Sequence, residues 1–311
     1  MSALALGPGG EFDRLRAIFA RLGPAAGELG DDCALLPLGD TTLAASIDCS
    51  LEGVHFRTDW LTFEEIGWRA AAAALSDLAA DGADPIGVLV SLGVPADTRH
   101  PTPGTRDPAV EIMAGVAAAA QSVGAKVLGG DLVKSEKYLV DVCVLGTARR
   151  PVRRAGARAG DGIWVTGRLG GAALALAGFR AGTRPEGALG RRYTHPEPRI
   201  AAGRWLAAHD ATAMLDVSDG LAADARHLAA ASGVGLEIAL ERLPCWDGVA
   251  PLAAAASGEE FELLVTLPAS FTETPDFELT RVGQCFSGAG VRLLEGNTPV
   301  ALPAGYDHFA P

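Results

Sequence analysis

Short apolar runs of strand length alternate along this chain with longer segments whose apolar residues recur at helical spacing. This alternation is typical of α/β or α+β proteins, in which helices cover a sheet. The spacing predicts strands over 43–48, 88–92, 127–128, 139–145, 162–166, 214–217, 236–240 and 261–267, and helices over 63–80, 108–123, 171–181, 200–209 and 221–231.

A segment rich in Arg, Gly and Pro, residues 148–160, interrupts the alternation and has no period of its own. Such a composition marks a connection between domains. A chain of 311 residues is long enough for two domains. We therefore predict a two-domain α/β (α+β) protein, with a first domain over 1–150 and a second over 151–311.

The charge and the cysteines limit the partners and the compartment. A net charge of −12 repels a phosphodiester backbone, so nucleic acid is excluded as a partner. The five cysteines are odd in number and form no Cys-x-x-Cys pair, which favours a reducing compartment. No apolar run reaches the ~20 residues of a membrane span, and no leader pattern opens the sequence. We expect a cytoplasmic protein with no membrane partner.

Aspartates in apolar or glycine-rich surroundings are the most informative feature. They are Asp31, Asp32, Asp48, Asp77, Asp131, Asp216 and Asp219. Each alone could be a helix cap, a turn residue or a solvated side chain. Together they are harder to explain in that way, because an ionised carboxylate without a partner is costly to bury. Three of them, Asp48, Asp131 and Asp216, follow predicted strands, where α/β folds hold ligands.

Divalent cations with a preference for oxygen explain many aspartates without histidines, and such cations are often shared with substrate phosphates. The sequence contains no P-loop motif, no Gly-x-Gly-x-x-Gly after a strand and no Gly-x-Ser-x-Gly. A P-loop kinase, a Rossmann dehydrogenase and an α/β-hydrolase therefore fit poorly. The sequence predicts a magnesium–phosphate site of another kind.

Taken in order, the aspartate segments resemble those of the thiamine-monophosphate kinase family, within the superfamily of aminoimidazole ribonucleotide synthetase and selenophosphate synthetase. The segments that carry the resemblance are Leu29-Gly-Asp-Asp-Cys-Ala-Leu-Leu36, Ser46-Ile-Asp48, Glu52-Gly-Val-His-Phe56, Leu75-Ser-Asp-Leu-Ala-Ala80, Leu128-Gly-Gly-Asp131, Asp216-Val-Ser-Asp-Gly-Leu221, Ser257-Gly-Glu-Glu-Phe-Glu-Leu-Leu264 and Gly305-Tyr-Asp-His-Phe309. Each motif is short, but their order covers nearly the whole chain.

The resemblance implies transfer of the γ-phosphoryl group of ATP, with several Mg²⁺ ions, to thiamine monophosphate. It also implies a homodimer whose first-domain sheets pair. By match to the family pattern, metal ligands would be Asp32, Ser46, Ile47, Asp48, Asp77, Asp131, Asp216 and Asp219, with Asp48, Asp77 and Asp131 at the reacting phosphates. Gly130, Asp131, Arg154 and Ser218 would bind ATP, and His55, Glu259 and Pro303 would lie on the acceptor side.

The chain departs from the family pattern in three places. Ile47 replaces a Ser or Thr, which leaves only its carbonyl for a metal. Ser257-Gly-Glu-Glu-Phe261 replaces Gly-Gly-Glu-Asp-Tyr, and Pro303 stands where an aromatic residue often covers the acceptor ring.

Two other functions remain open at this point. One is a different enzyme of the same superfamily, of the purine-pathway or selenophosphate type. The other is a nucleotide-binding protein without catalysis. The segments around His55 and Glu259 favour the thiamine branch, and the many aspartates argue for catalysis.

Overall fold

The computed structural model describes residues 4–27, 29–96 and 106–309. The helices are α1 (Gly10–Leu22), α2 (Phe63–Ala80), α3 (Pro108–Ser122), α4 (Gly171–Arg180), α5 (Gly187–Thr194), α6 (Ile200–Ala208), α7 (Leu221–Ser232) and α8 (Pro251–Ala255). The strands are β1 (Ala34–Leu38), β2 (Thr41–Leu51), β3 (Asp84–Pro95), β4 (Lys126–Ser135), β5 (Leu139–Ala148), β6 (Gly162–Thr166), β7 (Ala213–Asp216), β8 (Gly235–Ala239), β9 (Leu263–Leu267), β10 (Leu279–Phe286), β11 (Gly290–Glu295) and β12 (Thr298–Val300). Within the described ranges, no helix is both long and apolar enough to cross a membrane.

The strands form two sheets. The first has five strands in the order β1-β2-β5-β3-β4, antiparallel except for the parallel pair β3 and β4. The second has seven strands in the order β12-β11-β8-β10-β6-β9-β7. The predicted mixed α/β class is confirmed.

The first sheet has one covered face and one open face. Val140, Val142 and Val144 of β5 alternate with half-buried residues, and all three are fully buried on the side of α2 and α3. We call this the inner face. Ile47 and Leu89, which pair across β5 through Cys143, point to the opposite, outer face and are 66% and 38% exposed. The outer face is therefore apolar and uncovered in a single chain.

Two glycines let α2 and α3 cross at very short distance. A Cβ added to Gly67 would lie 1.8 Å from the Ile112 carbonyl oxygen, and one added to Gly115 would lie 1.9 Å from that of Glu64. A capping box between Thr62 and Glu65 begins α2. Helix α2 is thereby held tightly against the inner face.

Helix α2 also packs against the second sheet, so the two sheets share one hydrophobic core. Ile66 and Leu75 of α2 belong to the same buried cluster as Leu206 of α6 and Met214 and Val265 of the second sheet. The segment between β5 and β6 is packed as well, since Val152 is buried and its N–H donates to the Asp81 carbonyl oxygen. The segment connects the two sheets, as expected. A domain boundary near Pro151 remains a prediction.

All five predicted helices are confirmed, each ending within one residue of its expected end. Two placements were wrong: Asp48 and Asp131 do not follow strands but lie inside β2 and β4. Asp131 lies on the outer face of the edge strand β4, where polar residues are tolerated. Asp48 lies on the inner face of β2, opposite Val142, so its strand continues past a half-buried polar residue. Helices α1, α5 and α8 and strands β1 and β10 to β12 were not predicted.

Candidate active site

Three carboxylates from distant parts of the sequence meet at one point between the sheets. Asp32 precedes β1, Asp77 lies on the last turns of α2, and Asp216 ends β7. One oxygen of each lies within 4.8 Å of the others. The predicted gathering of these aspartates is thus observed, and it forms the centre of the site.

Crowding of the carboxylates favours their protonated forms. Burial, followed by the charges of Asp216 and Asp32, raises the pKa of Asp77 well above its usual value. Burial and the charge of Asp32 likewise raise the pKa of Asp216 to about 7. A cation bound here would stabilise the ionised carboxylates and so oppose these increases in pKa.

The donor set fits a divalent cation that prefers oxygen. Arg154 donates to Asp32 Oδ1 at 2.8 Å, whereas Asp32 Oδ2 is buried and has no hydrogen-bond partner among the residues that the structure describes. Ser46 Oγ donates to Asp77 Oδ2 at 2.5 Å. Every candidate ligand is a carboxylate or hydroxyl oxygen, the chemistry that Mg²⁺ prefers.

Asp48 borders this group from β2. It pairs with Val142 and therefore points to the inner face, toward α2. Burial raises its pKa, with further contributions from Asp141 and Glu259. The neighbouring Ile47 side chain points to the outer face, so only its main chain is on the side of Asp48.

The loop after β7 adds a second group of acids. Asp219 lies before α7, and burial, followed by the charge of Glu11, raises its pKa to about 6. Asp224, which the sequence interpretation missed, accepts from the N–H groups of Asp219 and Gly220 at 3.2 and 3.0 Å. Ser218 sits between Asp216 and Asp219, and its carbonyl oxygen accepts from the Glu259 N–H at 2.6 Å.

His55 and Glu259 lie near each other, and Glu259 also lies near Asp48. The Leu51 N–H donates to His55 Nδ1 at 3.0 Å, and burial lowers the pKa of His55. The ring is therefore neutral near pH 7, with its proton on Nε2. Glu259 has a positive φ of 58°, a conformation that non-glycine residues rarely adopt.

A segment over 305–309 closes this side and was not predicted to carry site residues. The centre of the His308 ring lies 5.0 Å from the centre of the His55 ring and 4.8 Å from the centre of the Tyr306 ring. The Tyr306 N–H donates to the Asp219 carbonyl oxygen at 3.1 Å. Pro303 lies just before this segment, where its carbonyl oxygen accepts from Arg226 at 3.1 Å. The aromatic side chain beside Glu259 and Asp219 is thus Tyr306, which is 53% exposed.

A single chain does not bring Gly130 and Asp131 to this group. Asp131 pairs with Ser91 on β3, and Ser91 pairs with Asp141, so all three share the outer face. Strand β4 lies three strands from β2, which corresponds to roughly 14 Å. Gly130 is explained by packing, since an added Cβ would lie 2.0 Å from the Val90 carbonyl oxygen.

The two halves of the chain match two successive domain models. Residues 30–148 match the N-terminal domain of AIR synthase related proteins, and residues 158–274 match their C-terminal domain. The fold and the acidic site between the sheets therefore define an AIR synthase related protein.

Curated relatives narrow this class. A thiamine-monophosphate kinase from Halobacterium salinarum is 36% identical over 292 residues, covering 89% of this chain and 95% of the relative. One from Mycobacterium tuberculosis is 37% identical over 256 residues, covering 81% and 75%. AaThiL complexed with AMPPCP and TMP superposes with a TM-score of 0.87 at 32% identity, covering 96% of this chain and 97% of AaThiL. The chain belongs to the thiamine-monophosphate kinase family.

Proposed function

We propose that this protein transfers the γ-phosphoryl group of ATP to thiamine monophosphate, which yields thiamine diphosphate and ADP. The observation that carries the proposal is the convergence of Asp32, Asp77 and Asp216 within 4.8 Å. His55 and Glu259 lie near Asp48, which borders this group. The family relatives bear the same activity in their names, and AaThiL was solved with AMPPCP and TMP together.

Magnesium fits the acidic centre. Asp32, Asp77 and Asp216 would hold it, with Asp48, Ser46 and the Ile47 carbonyl as neighbouring donors and Asp219 as a ligand further along the phosphates. When bound, Mg²⁺ neutralises phosphate charge and aligns the donor and acceptor groups. The buried, partnerless Asp32 Oδ2 supports this assignment.

The side chains need not remove a proton from the acceptor. A phosphate oxygen is already ionised, so transfer depends on alignment and on stabilising charge. Arg154 fixes Asp32 through its 2.8 Å hydrogen bond and brings positive charge to the donor side. We assign Ser218, in the loop between Asp216 and Asp219, a contact with the nucleotide.

On the acceptor side, neutral His55 offers its Nε2–H as a hydrogen-bond donor to a phosphate oxygen. Glu259 offers a carboxylate, one-third exposed, that accepts from amino or N–H groups of a heterocycle. The thiamine pyrimidine carries such an amino group. His55 thus offers a hydrogen-bond donor for the phosphate, and Glu259 offers a hydrogen-bond acceptor for the amino group. This combination suits a phosphorylated aminopyrimidine better than inorganic phosphate alone.

The proposal is tested by ADP release with Mg·ATP, with and without thiamine monophosphate, and by chromatography of the thiamine product. We expect ADP release only with the acceptor, in equal amount to thiamine diphosphate. Release with a purine-pathway amide or with selenide instead would favour another enzyme of the superfamily. No release with any acceptor, but tight ATP binding, would indicate a non-catalytic protein.

We further propose that the active form is a homodimer joined through the outer face of the first sheet. Ile47, Leu36 and Leu38 lie on this face and are 66%, 55% and 60% exposed. Monomeric proteins rarely leave such a contiguous apolar surface open to solvent. Asp131 lies on the same face, far from Asp48 of its own chain. Because β4 is an edge strand, Asp131 and Gly130 would approach the partner's site past the edge of its sheet, which would unite the predicted ligand set.

Mixing two inactive variants tests this arrangement. Asp77→Asn and Asp131→Asn would each be inactive alone. After exchange of subunits, a mixed dimer has one site with both aspartates, so we expect about a quarter of wild-type activity in an equal mixture. Activity that stays at the level of the separate variants would show that Asp131 acts within its own chain or not at all.

All five cysteines are free thiols. They support the proposal that the protein works in the reducing cytoplasm, where its nucleotide substrate is abundant.

A further inference from the structure

We propose that Arg69 is a positioning residue, which fixes the Glu259 carboxylate so that one of its oxygens faces the acceptor ring. The inference rests on the proposed function. It concerns a side chain on α2 that does not touch the acidic centre and that the sequence analysis did not single out.

Arg69 is held from three directions. Its side chain is 7% exposed, and its guanidinium carbon lies 3.9 Å from the centre of the Tyr193 ring. One guanidinium nitrogen donates to the Tyr193 carbonyl oxygen, and the other donates to Glu259 Oε1 at 2.7 Å. A buried guanidinium with two acceptors and a stacked ring has little freedom to move.

Glu259 is held just as firmly at its main chain. Its N–H donates to the Ser218 carbonyl oxygen at 2.6 Å, and its φ of 58° turns the chain sharply. Phe261 repeats this pattern, with a φ of 48° and an N–H bond to the Val217 carbonyl oxygen. Such strained turns persist where the surroundings enforce them, and they are common at functional sites.

The neighbouring glutamates show what is special about Glu259. Glu260 pairs with Arg192 at 3.0 Å and is fully buried, and Glu262 pairs with Arg199 at 2.6 Å and is 1% exposed. In each of these pairs the carboxylate is closed to solvent. Glu259 is 33% exposed although its arginine is buried, so its ion pair is open on the carboxylate side.

The open side faces the acceptor space. The charge of Glu259 acts on Asp48, His55 and Tyr306, which lie around it. Within the described ranges, Glu259 Oε2 accepts no hydrogen bond, whereas Oε1 is taken by Arg69. The arrangement presents a single aimed acceptor to an amino or N–H group. A heterocycle that lacks such a group would gain nothing from it.

Because Arg69 acts through Glu259, its loss should weaken acceptor binding rather than nucleotide binding. Arg69→Met removes both hydrogen bonds and leaves Glu259 free to turn toward solvent. Arg69→Lys keeps the charge but cannot bond both acceptors with the same planar fork. We therefore expect Arg69→Lys to fall between the wild type and Arg69→Met.

Steady-state kinetics of the full chain with Mg·ATP and thiamine monophosphate test the inference. For Arg69→Met we expect the acceptor KM to rise about tenfold, with the KM for ATP unchanged and kcat reduced less than the acceptor KM rises. In a Glu259→Gln background, Arg69→Met should change the acceptor KM little, because the group it positions is already altered. Equal increases in both KM values, or fully additive effects of the two substitutions, would overturn the inference.

Arg184→Lys serves as the matched control. Arg184 pairs with Glu65, one turn before Arg69 on the same helix, and lies away from the acceptor side. We expect both KM values to stay at wild-type levels in this variant. If Arg69→Met fails to fold, Arg69→Lys is the variant that tests the inference. A raised acceptor KM in Arg69→Lys supports the inference, and an unchanged acceptor KM overturns it. A wild-type protein that does not phosphorylate thiamine monophosphate refutes the proposed function in the same assay, before any variant is compared.

Discussion

Arg154 bonds one oxygen of Asp32 at 2.8 Å and leaves the other oxygen of the same carboxylate buried without a partner. An orphaned carboxylate oxygen in a protein interior is destabilising unless a cation meets it. The arginine thus orients Asp32, one oxygen of which lies within 4.8 Å of oxygens of Asp77 and Asp216.

ATP affinity should therefore depend on Mg²⁺. The described site offers carboxylates to the phosphates and only Arg154 as a nearby buried cation, so metal-free ATP would be repelled. Calorimetric titration should show ATP binding at least about tenfold weaker in EDTA than in excess Mg²⁺. Equally tight binding without metal would refute the role assigned to the acidic centre.

Asp77→Asn should separate a metal ligand from a structural residue. In EDTA, removing one of three crowded carboxylates relieves repulsion, so the melting temperature should stay the same or rise. Phosphoryl transfer should fall by about two orders of magnitude or more. A variant that melts several degrees lower in EDTA and keeps near-normal activity would make Asp77 structural. Asp84→Asn, an exposed partner of Arg204, is the control for an aspartate outside the site.

Metal-free protein should lose stability as the pH rises. Asp216 has a pKa of about 7 in the folded protein and of 3.8 in the unfolded chain. Between these two pH values, folding is therefore accompanied by the uptake of a proton. The stability from this group is full below about pH 4 and is lost as the pH rises through about 7, a change of a few kcal/mol.

Thermal melts in EDTA between pH 5 and 8 should therefore show a falling melting temperature, and Asp216→Asn should flatten the profile. Saturating Mg²⁺ should also flatten it, since the cation competes with protons for the same carboxylates. A profile in EDTA that is flat or rises with pH would contradict the crowding of these groups.

Tyr306, rather than Pro303, should contribute ring contacts to the acceptor. Tyr306 is 53% exposed beside Glu259 and Asp219, whereas Pro303 packs toward Arg226. Tyr306→Ala should raise the acceptor KM by roughly tenfold with a smaller effect on kcat, because ring stacking is largely uniform binding. Pro303→Ala should leave the acceptor KM unchanged. A raised acceptor KM in Pro303→Ala with an unchanged acceptor KM in Tyr306→Ala would assign the ring contact to Pro303, the position that the sequence pattern indicated.

The outer face should mediate dimerisation. Leu89 lies on β3 in the middle of this face and is 38% exposed, so Leu89→Glu should give a monomer in light scattering at micromolar concentration. Leu252→Glu on α8, at a similar exposure of 42% but outside the first sheet, should leave the dimer intact. A monomeric wild type would end the dimer proposal.

The sequence carried much of the fold because its signals were local. Helix α2 was predicted with its observed bounds, because its apolar residues recur at helical spacing. The structure adds a capping box between Thr62 and Glu65 at its start. Strands β10 to β12 escaped prediction, because their mostly half-exposed or exposed residues show neither a clean alternation nor a continuous apolar run.

The site was only partly accessible from the sequence. Asp77 and Asp216 stood out because carboxylates among alanines and leucines are conspicuous. Arg69 did not, since its partner Glu259 lies 190 positions away and an arginine on a helix is ordinary in its local context. The geometry of Asp131 was also beyond reach, because which face of a strand a residue occupies depends on register.

The common core around α2 limits how this protein can be recombined. Ile66 and Leu75 touch partners from both halves of the chain, and Gly203 of α6 meets the Ala79 carbonyl oxygen so closely that an added Cβ would lie 2.0 Å away. A chimera that joins the first half of this chain to the second half of a relative would place foreign side chains against α2. The two halves match separate domain models, but they are not independent structural modules. A successful chimera would have to take α2 and the second sheet from the same protein.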